Sequence, residues 1–552
     1  MNGLVFLGAG VVFLLLGYLT YGAFIARKLG VSDANRTPAH TMGDGVDYVP
    51  ARKPILLGHH FASIAGAAPI IGPVLAAQFG WAPVFVWILL GGVFLGAVHD
   101  LASLVASVRH EGRSIGMIIE RYLGSLGKVL FLLFAWATLV LVIAVFTLVV
   151  STTFVKTPEV ASASILFIAL AIGFGLAVYR TKVNFVLASI VGVILLLGCL
   201  WVGVLAPFPD FLGGADEMRL FWQIVLVGYI FVASVTPVNI LLQPRDYLNS
   251  FLLYGVLLVS LLAVIVDPPA IRGEAFIAFE VEGMGSIFPI LFVTVACGAI
   301  SGFHSMVASG TTAKQLDKES DARAIGYGGM LIESTLALLA LLTAVIVSQE
   351  EYVDRLVVQG KANPVHVFSV GVATLLEALR IPRELGEGFA GLAVSAFALT
   401  SLDTATRLGR FSAQELFMKS GRPREEQSVV VRNRFAATLV TVLAGGLLLF
   451  SGKTMDLWRI FGSANQLLAA LALMAATVWL ASRKQQRWFT LIPMIFMYIV
   501  ALSALVSLMW EIAHAEEPKW VLAVLVVLLF LLALLLAYSF VRHQLRGAGR
   551  EA

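Results

Sequence analysis

The chain has 552 residues, 59% of them hydrophobic and only 13% charged, with a mean hydropathy of +0.91; soluble domains carry about 25% charged residues. A formal net charge of +4 and just two cysteines, Cys199 and Cys297, both inside apolar runs, argue against a nucleic-acid partner, a disulfide framework and a cysteine-based metal site. The composition is that of a polytopic membrane protein.

A helix needs about 20 apolar residues to cross the ~30 Å hydrocarbon core. Runs of that kind predict spans near residues 4–26, 55–79, 82–108, 128–154, 160–179, 183–205, 220–243, 248–266, 288–312, 325–348, 388–411, 432–451, 457–481, 488–511 and 520–541. The first run has no basic stretch before it and is followed by Arg27-Lys28, so it reads as a retained span and not a signal peptide. Residues 365–379 are apolar but short, and they carry His366 and Glu377; they read as an extracellular or re-entrant helix. With the N-terminus outside, these fifteen crossings gather 28 of the 38 Lys and Arg residues on one face, which is then cytoplasmic along with the C-terminus. Counting 365–379 as a span would place the basic loop between Arg407 and Arg434 outside.

The run Gly58-His59-His60-Phe61-Ala62-Ser63-Ile64-Ala65-Gly66-Ala67-Ala68-Pro69-Ile70-Ile71-Gly72-Pro73 is unlike a helix packed in lipid. Polar side chains and prolines persist at membrane depth where they are buried in protein or line a water-filled cavity. A second candidate interruption is Ser234-Val235-Thr236-Pro237-Val238-Asn239, followed by Gln243-Pro244. Paired interrupted spans in two halves of a chain point to a transporter's binding site. Five spans from residue 55 begin inside and the next five begin outside, so the two blocks are inverted. The expected fold is therefore an all-α polytopic membrane protein of about 15 transmembrane helices. Its core is a leucine-transporter-like 5+5 inverted repeat with two discontinuous helices. Residues 1–54 would be a peripheral first helix and cytoplasmic loop, 55–205 and 220–411 the two repeats, and 432–552 four peripheral helices.

Several longer motifs resemble the carbon starvation protein A family. They are Gly58-His59-His60-Phe61, Gly72-Pro73-Val74-Leu75-Ala76-Ala77-Gln78, Gly96-Ala97-Val98-His99-Asp100, Ile300-Ser301-Gly302-Phe303-His304, Ser309-Gly310-Thr311-Thr312-Ala313-Lys314-Gln315-Leu316 and Phe461-Gly462-Ser463-Ala464-Asn465-Gln466-Leu467. The resemblance runs from about Arg52 to Leu473. It implies an inner-membrane carrier of pyruvate or short peptides, used in nutrient limitation and driven by protons. It also implies membership of the amino acid–polyamine–organocation superfamily. The chain is shorter than the larger members of that family, so the resemblance leaves the substrate open.

An ionisable group inside the bilayer costs about 2.5–3.5 kcal/mol on insertion scales. Glu333 lies ten residues past Arg323, about 15 Å along a helix, and is expected to carry the coupling proton; the alternative is a structural acid bonded to an arginine. Asp100, His60 and His304 are candidates for the same relay. His59 and His60 point about 100° apart on a helix, so at most one faces a central cavity. Substrate carboxylate would bind the amides freed at Gly66, Ala67 and Ala68. Ser63, and Ser234, Thr236 and Asn239 of the second interruption, would add polar partners. The alternative for these small residues is helix packing, as in Gly92-xxx-Gly96 and Gly298-xxx-Gly302. Sodium is the rival ion. Proteins of this fold can hold it between carbonyls of the first broken helix and hydroxyls of the eighth core helix, read here as 288–312. That helix offers Ser305, Ser309, Thr311 and Thr312, unless these hydroxyls bond back to their own turn. No nucleophile–base pair or metal-ligand spacing marks an enzyme, and no cofactor is expected. The partners expected are a small carboxylate or peptide and the lipid bilayer; the oligomeric state is left open.

Overall fold

The computed structural model describes residues 2–45, 48–180, 183–237, 241–358, 361–419, 423–450, 454–515 and 520–548. Among them, twelve helices are long and apolar enough to cross a membrane, and Lys53–Ile64 with Ala68–Phe79 forms a further, bent span. An interrupted helix over 287–315 and the short helix Arg434–Leu449 complete fifteen segments. Pro364–Leu379 is a separate short helix. Side-chain caps mark several starts: Asn2 accepts from the Val5 amide (2.9 Å), Ser114 from Met117 (3.3 Å), Asn184 from Val186 (2.9 Å) and Asn433 from Phe435 (2.8 Å). The span expected at 128–154 belongs to a longer element, Ile115–Lys156. Its first turns are joined to the rest across Gly124, which sits at φ 82°, a conformation that glycine adopts without strain.

The first interruption lies where the sequence places it. Inner half-helix Lys53–Ile64 ends at Ala65 (φ −77°, ψ 71°), and the outer half starts at Ala68 with Pro69 in its first turn, where a missing amide hydrogen is harmless. The two halves bend by 47°. A Cβ on Gly66 would collide with Ser401 on the facing helix Arg383–Phe417.

The described part of the second candidate interruption, Ser234–Pro237, does not break a helix, and Val238 and Asn239 lie outside the described residues. Ala215–Val235 is one unbroken helix that ends at Thr236 (φ −73°, ψ 142°), the extended conformation favoured before a proline. Pro237 stops this helix, and Pro244 falls in the first turn of the next, Leu242–Val266. The prolines punctuate a connection. The chain breaks instead at Ile300 (φ −163°, ψ 135°) and Ser301 (φ −136°, ψ 124°), between residues 287–299 and 302–315.

This relocates the second half of the core. Its helices are 287–315, Glu319–Val345, Arg383–Phe417, Arg434–Leu449 and Thr454–Ser482. The first half is 53–79, Trp81–Val108, Ile115–Lys156, Ala215–Val235 and Leu242–Val266, with the hairpin Pro158–Arg180 and Phe185–Leu205 inserted after its third helix. Packing follows the pairing: the two third helices make the most extensive interface, each fourth helix packs on the third helix of the other set, and each fifth helix packs on the interrupted helix of its own set. The divisions 55–205 and 220–411 are corrected accordingly. So is the peripheral role given to residues 432–481, which are the fourth and fifth helices of the second set. Helix Gly3–Lys28 and the last two helices, Trp488–Ala513 and Trp520–Ala548, lie outside the ten.

Gly302 opens the inner half of the second interrupted helix, and a Cβ there would collide with the backbone of Asn465 and Ala469. Gly302→Ala is expected to lower the melting temperature of purified protein, since overpacking costs about 1–3 kcal/mol. Gly8→Ala, which meets nothing within 4 Å, should leave the melting temperature unchanged or slightly raised.

Candidate functional site

Around the two interruptions lie two sets of buried ionisable side chains. The first joins three helices of the core. Trp81–Val108 passes through a π turn at Gly91–Gly96, where Gly96 abuts the backbone of Ala299, and carries His99 and Asp100 in the next turn. His304 lies in the first turn of the half-helix that starts at Gly302, and Glu333 lies on Gly328–Val345. All four side chains are fully buried. His304 Nδ1 is 2.8 Å from Asp100 Oδ2, and its Nε2 is 3.2 Å from Glu333 Oε2. His99 Nδ1 is 2.7 Å from Asp100 Oδ1. The Glu333 contact is near enough for Coulomb attraction but is not aligned as a hydrogen bond, and both Glu333 oxygens lack another partner among the described residues.

A neutral imidazole has one N–H, so His304 can donate to only one of its two carboxylates. Two bare carboxylates around a neutral ring would bury two uncompensated negative charges, which the interior does not tolerate. The set of four, His99 included, therefore holds at least one proton beyond that state, as an imidazolium or as a carboxylic acid.

The second set connects the inner half of the first interrupted helix to the helices beside it. Arg245 and Asp246 lie in the first turns of Leu242–Val266, Tyr229 on Ala215–Val235, Asp403 on Arg383–Phe417, and His59 and Ser63 on Lys53–Ile64. Arg245 Nη1 donates to Asp403 Oδ2 and to the Tyr229 hydroxyl (2.7 Å), and that hydroxyl donates to Asp403 Oδ2 (2.8 Å). Arg245 Nη2 reaches Asp246 Oδ1 at 3.4 Å. Asp246 Oδ2 is 3.2 Å from His59 Nδ1 and accepts from Ser63 Oγ at 3.5 Å. Arg245 Nε and Asp403 Oδ1 have no partner among the described residues. One guanidinium faces two carboxylates, with His59 beside them.

The remaining expected residues fall as follows. His60 shares a hydrogen bond with Thr312 Oγ1 (2.8 Å). Gly66, Ala67 and Ala68 form the interruption, and Ser401 Oγ is 3.5 Å from the Ser63 carbonyl oxygen beside it. Ser234 bonds to Thr438 (3.2 Å), on the fourth helix of the second set. Thr236 Oγ1 bonds back to the Val232 carbonyl (2.7 Å), and its own carbonyl accepts from Arg407. Neither Ser234 nor Thr236 lies at a helix interruption, so the substrate role given to them is corrected; Asn239 lies outside the described residues. Ser305 and Ser309 bond to carbonyls of their own helix, Gly302 and Ser305, each at 2.7 Å, and Thr312 is engaged by His60. The hydroxyl that stands across the first interruption is that of Ser401 on Arg383–Phe417, whereas the expected cation-site residues Ser305, Ser309 and Thr312 lie on the second interrupted helix.

Asn465 closes the second interruption. Its Oδ1 accepts from the Phe303 amide (2.9 Å), its Nδ2 donates to Ser301 Oγ (3.0 Å), and the neighbouring Gln466 donates to the Phe292 carbonyl on the outer half. A cavity of about 450 Å³ lies between Ser309 and Lys314 on one side and Leu408, Phe411 and Glu415 on the other. Another, of about 580 Å³, lies at the opposite end, lined by Thr153, Lys156, His366, Ser369, Glu384 and Glu387. Neither reaches the buried clusters.

The sequence profile described as Carbon starvation protein CstA matches residues 2–355 and 353–504. The chain belongs to this family. It is 35% identical over 590 residues to the Peptide transporter CstA of Escherichia coli (strain K12), covering 94% of this chain and 82% of that protein. Against the Peptide transporter CstA of Campylobacter jejuni the identity is 34% over 555 residues, covering 90% and 78%. The Pyruvate/proton symporter BtsT of E. coli is 32% identical over 578 residues, covering 90% and 80%. Among solved structures, MhsT in complex with L-phenylalanine aligns with a TM-score of 0.48 at 13% identity, over 88% of this chain and 99% of that one. A manganese transporter of Eremococcus coleocola aligns with a TM-score of 0.45 at 13% identity, over 91% and 99%.

Sequence reading named Ser63 but missed Tyr229, Arg245, Asp246 and Asp403. Arg245 and Asp246 follow Gln243-Pro244 and read as a loop; Asp403, inside an apolar run, was the available signal. Removing one partner of a buried ion pair costs about 3–5 kcal/mol, whereas replacing both by apolar groups is often neutral. Arg245→Leu should therefore strongly reduce yield and melting temperature. Adding Asp403→Leu should recover part of that stability, Asp246 keeping only His59 and Ser63 beside it, as read by thermal denaturation of the purified variants.

Proposed function

We propose that the protein is a secondary active transporter that imports pyruvate or short peptides with protons, by alternating access. On this reading it sits in the inner membrane with its N-terminus outside and its C-terminus in the cytoplasm. The observation that carries the reading is His304 held between Asp100 and Glu333, all fully buried. With an imidazolium the trio keeps a net negative charge. One further proton, on Glu333, makes it neutral and removes the penalty for moving it through an apolar interior.

The two clusters divide the work by position. Asp100, His304 and Glu333 belong to the first two helices of the two sets and move as a packed unit. The Arg245 cluster bridges that unit, through His59 and Ser63, to the third, fourth and fifth helices. On this reading, protonation of the trio and rearrangement of the bridge accompany the rocking of one bundle against the other. Substrate carboxylate would be held by the amides opening the outer half-helix at Ala67 and Ala68, near Ser63 and Ser401. The relatives named for pyruvate and for peptides share that chemical group.

Sodium coupling is the second reading, favoured by one contact: Ser401 Oγ across from the Ser63 carbonyl, 3.5 Å away. Proteoliposomes separate the two. An imposed pH gradient in sodium-free buffer should drive accumulation of labelled pyruvate or a dipeptide; accumulation that needs a sodium gradient instead would overturn proton coupling. Glu333→Gln should abolish pH-driven accumulation while counterflow exchange persists. Wild-type accumulation by that variant would remove Glu333 from the coupling role.

A further inference from the structure

Helix Gly3–Lys28 packs against Glu319–Val345, outside the ten-helix core, and two cavities meet along this seam. One, of about 280 Å³, is an apolar groove lined by Val11, Leu14, Leu15, Leu57, Leu331 and Ile332. It shares Tyr18 and Ala324 with the second, of about 480 Å³, whose wall carries Arg27, Lys53, Ser320 and Arg323. Leu15 is 55% exposed on the outer side of the groove, whereas Leu331 at its floor is 5% exposed. Apolar trough and cationic pocket are thus continuous.

The charges in the pocket are unequally matched. Lys53 pairs with Asp321 at 3.3 Å. The other nearby acid, Asp33, is held by the Ser320 amide (2.9 Å) and hydroxyl (3.0 Å). The Arg323 guanidinium lies 4.6 Å over the Tyr18 ring, which orients it without neutralising it. Arg27 has no acidic partner among the described residues.

We propose that this seam is a binding site for a membrane phospholipid with an anionic headgroup, its phosphate between Arg27 and Arg323 and one acyl chain in the groove beneath. Guanidinium groups bind phosphate with paired, charge-assisted hydrogen bonds. Basic pockets between membrane helices on the cytoplasmic side suit such headgroups. Because Lys53 and Leu57 belong to the inner half of the first interrupted helix, the lipid links that half to the peripheral helix. Occupancy holds the inner half in place and raises the stability of the protein.

The test is native mass spectrometry and thermal denaturation of the full chain, in detergent with added phosphatidylglycerol or phosphatidylcholine. Wild-type protein should retain phosphatidylglycerol preferentially and melt higher with it than with phosphatidylcholine. Arg27→Ala and Arg323→Ala should each reduce the preference about fivefold, whereas Lys484→Ala, at a different connection, should not. Leu15→Trp, which fills the groove and leaves the cations, should also lose the bound lipid. Equal retention of both lipids, or an undiminished preference in Arg27→Ala/Arg323→Ala, would overturn the proposal. So would an equal shift with soluble glycerol phosphate, which would make the pocket a free-phosphate site. A variant of lower baseline stability stays informative, because each comparison is between two lipids on the same protein.

Discussion

The backbone leaves the helical ladder at residues 65–67 and 300–301 in a buried interior, where a missing hydrogen bond costs several kcal/mol, and side chains of neighbouring helices approach both departures. Asn465 gives the second interruption both an acceptor and a donor, and Gln466 holds the outer half. At the first, Gly66 yields its side-chain space to Ser401, whose hydroxyl approaches the Ser63 carbonyl. Neither supporting helix can shift far without exposing these groups. The interruptions therefore fix where the third and fifth helices of the second set must pack.

The same burial governs the ionisable residues. Asp100, His304 and Glu333 lie on helices that are themselves closely packed, with Gly96 against Ala299 and Gly326 against Leu101. Their separations are set by backbone and do not depend on flexible side chains. A group held this way changes its charge more readily than its position. The Arg245 cluster is different in kind. Its members come from four helices, and its link to the first interrupted helix, through His59 and Ser63, is made of contacts of 3.2 and 3.5 Å. Tight hydrogen bonds join Arg245, Tyr229 and Asp403, so the looser edge of the cluster is the one facing the interrupted helix.

Hydropathy and charge distribution were enough to find the fifteen apolar segments and to set Pro364–Leu379 aside, because those properties are local or simply counted. The first interruption was legible because prolines and glycines mark it. The second was not. The break at Ile300–Ser301 contains no proline; Asn465 braces it by accepting from the Phe303 amide and donating to the Ser301 hydroxyl oxygen, a tertiary contact invisible in local sequence. Orientation offered no correction, since the segments starting at 220 and 288 both begin on the same side and each lies an odd number of crossings from residue 55. The inserted hairpin 158–205 conceals the true repeat length. Glu333, His304 and Asp100 stood out as charges in apolar stretches, whereas Arg245 and Asp246 looked like loop residues until Leu242–Val266 was seen to begin before them.

The correspondence between the two sets gives the site its logic. In each, the fifth helix addresses the interrupted helix of its own set: Asn465 and Gln466 in the second, Arg245 and Asp246 in the first. The second set uses neutral amides, whose hydrogen bonds are indifferent to protonation. The first uses an ion pair shared with Asp403 and bordered by His59, where a change of charge alters which partners are satisfied. The fifth helix thus meets one interruption through neutral amides and the other through charge. That difference sets the charged link beside Ser63 and the interruption at residues 65–67.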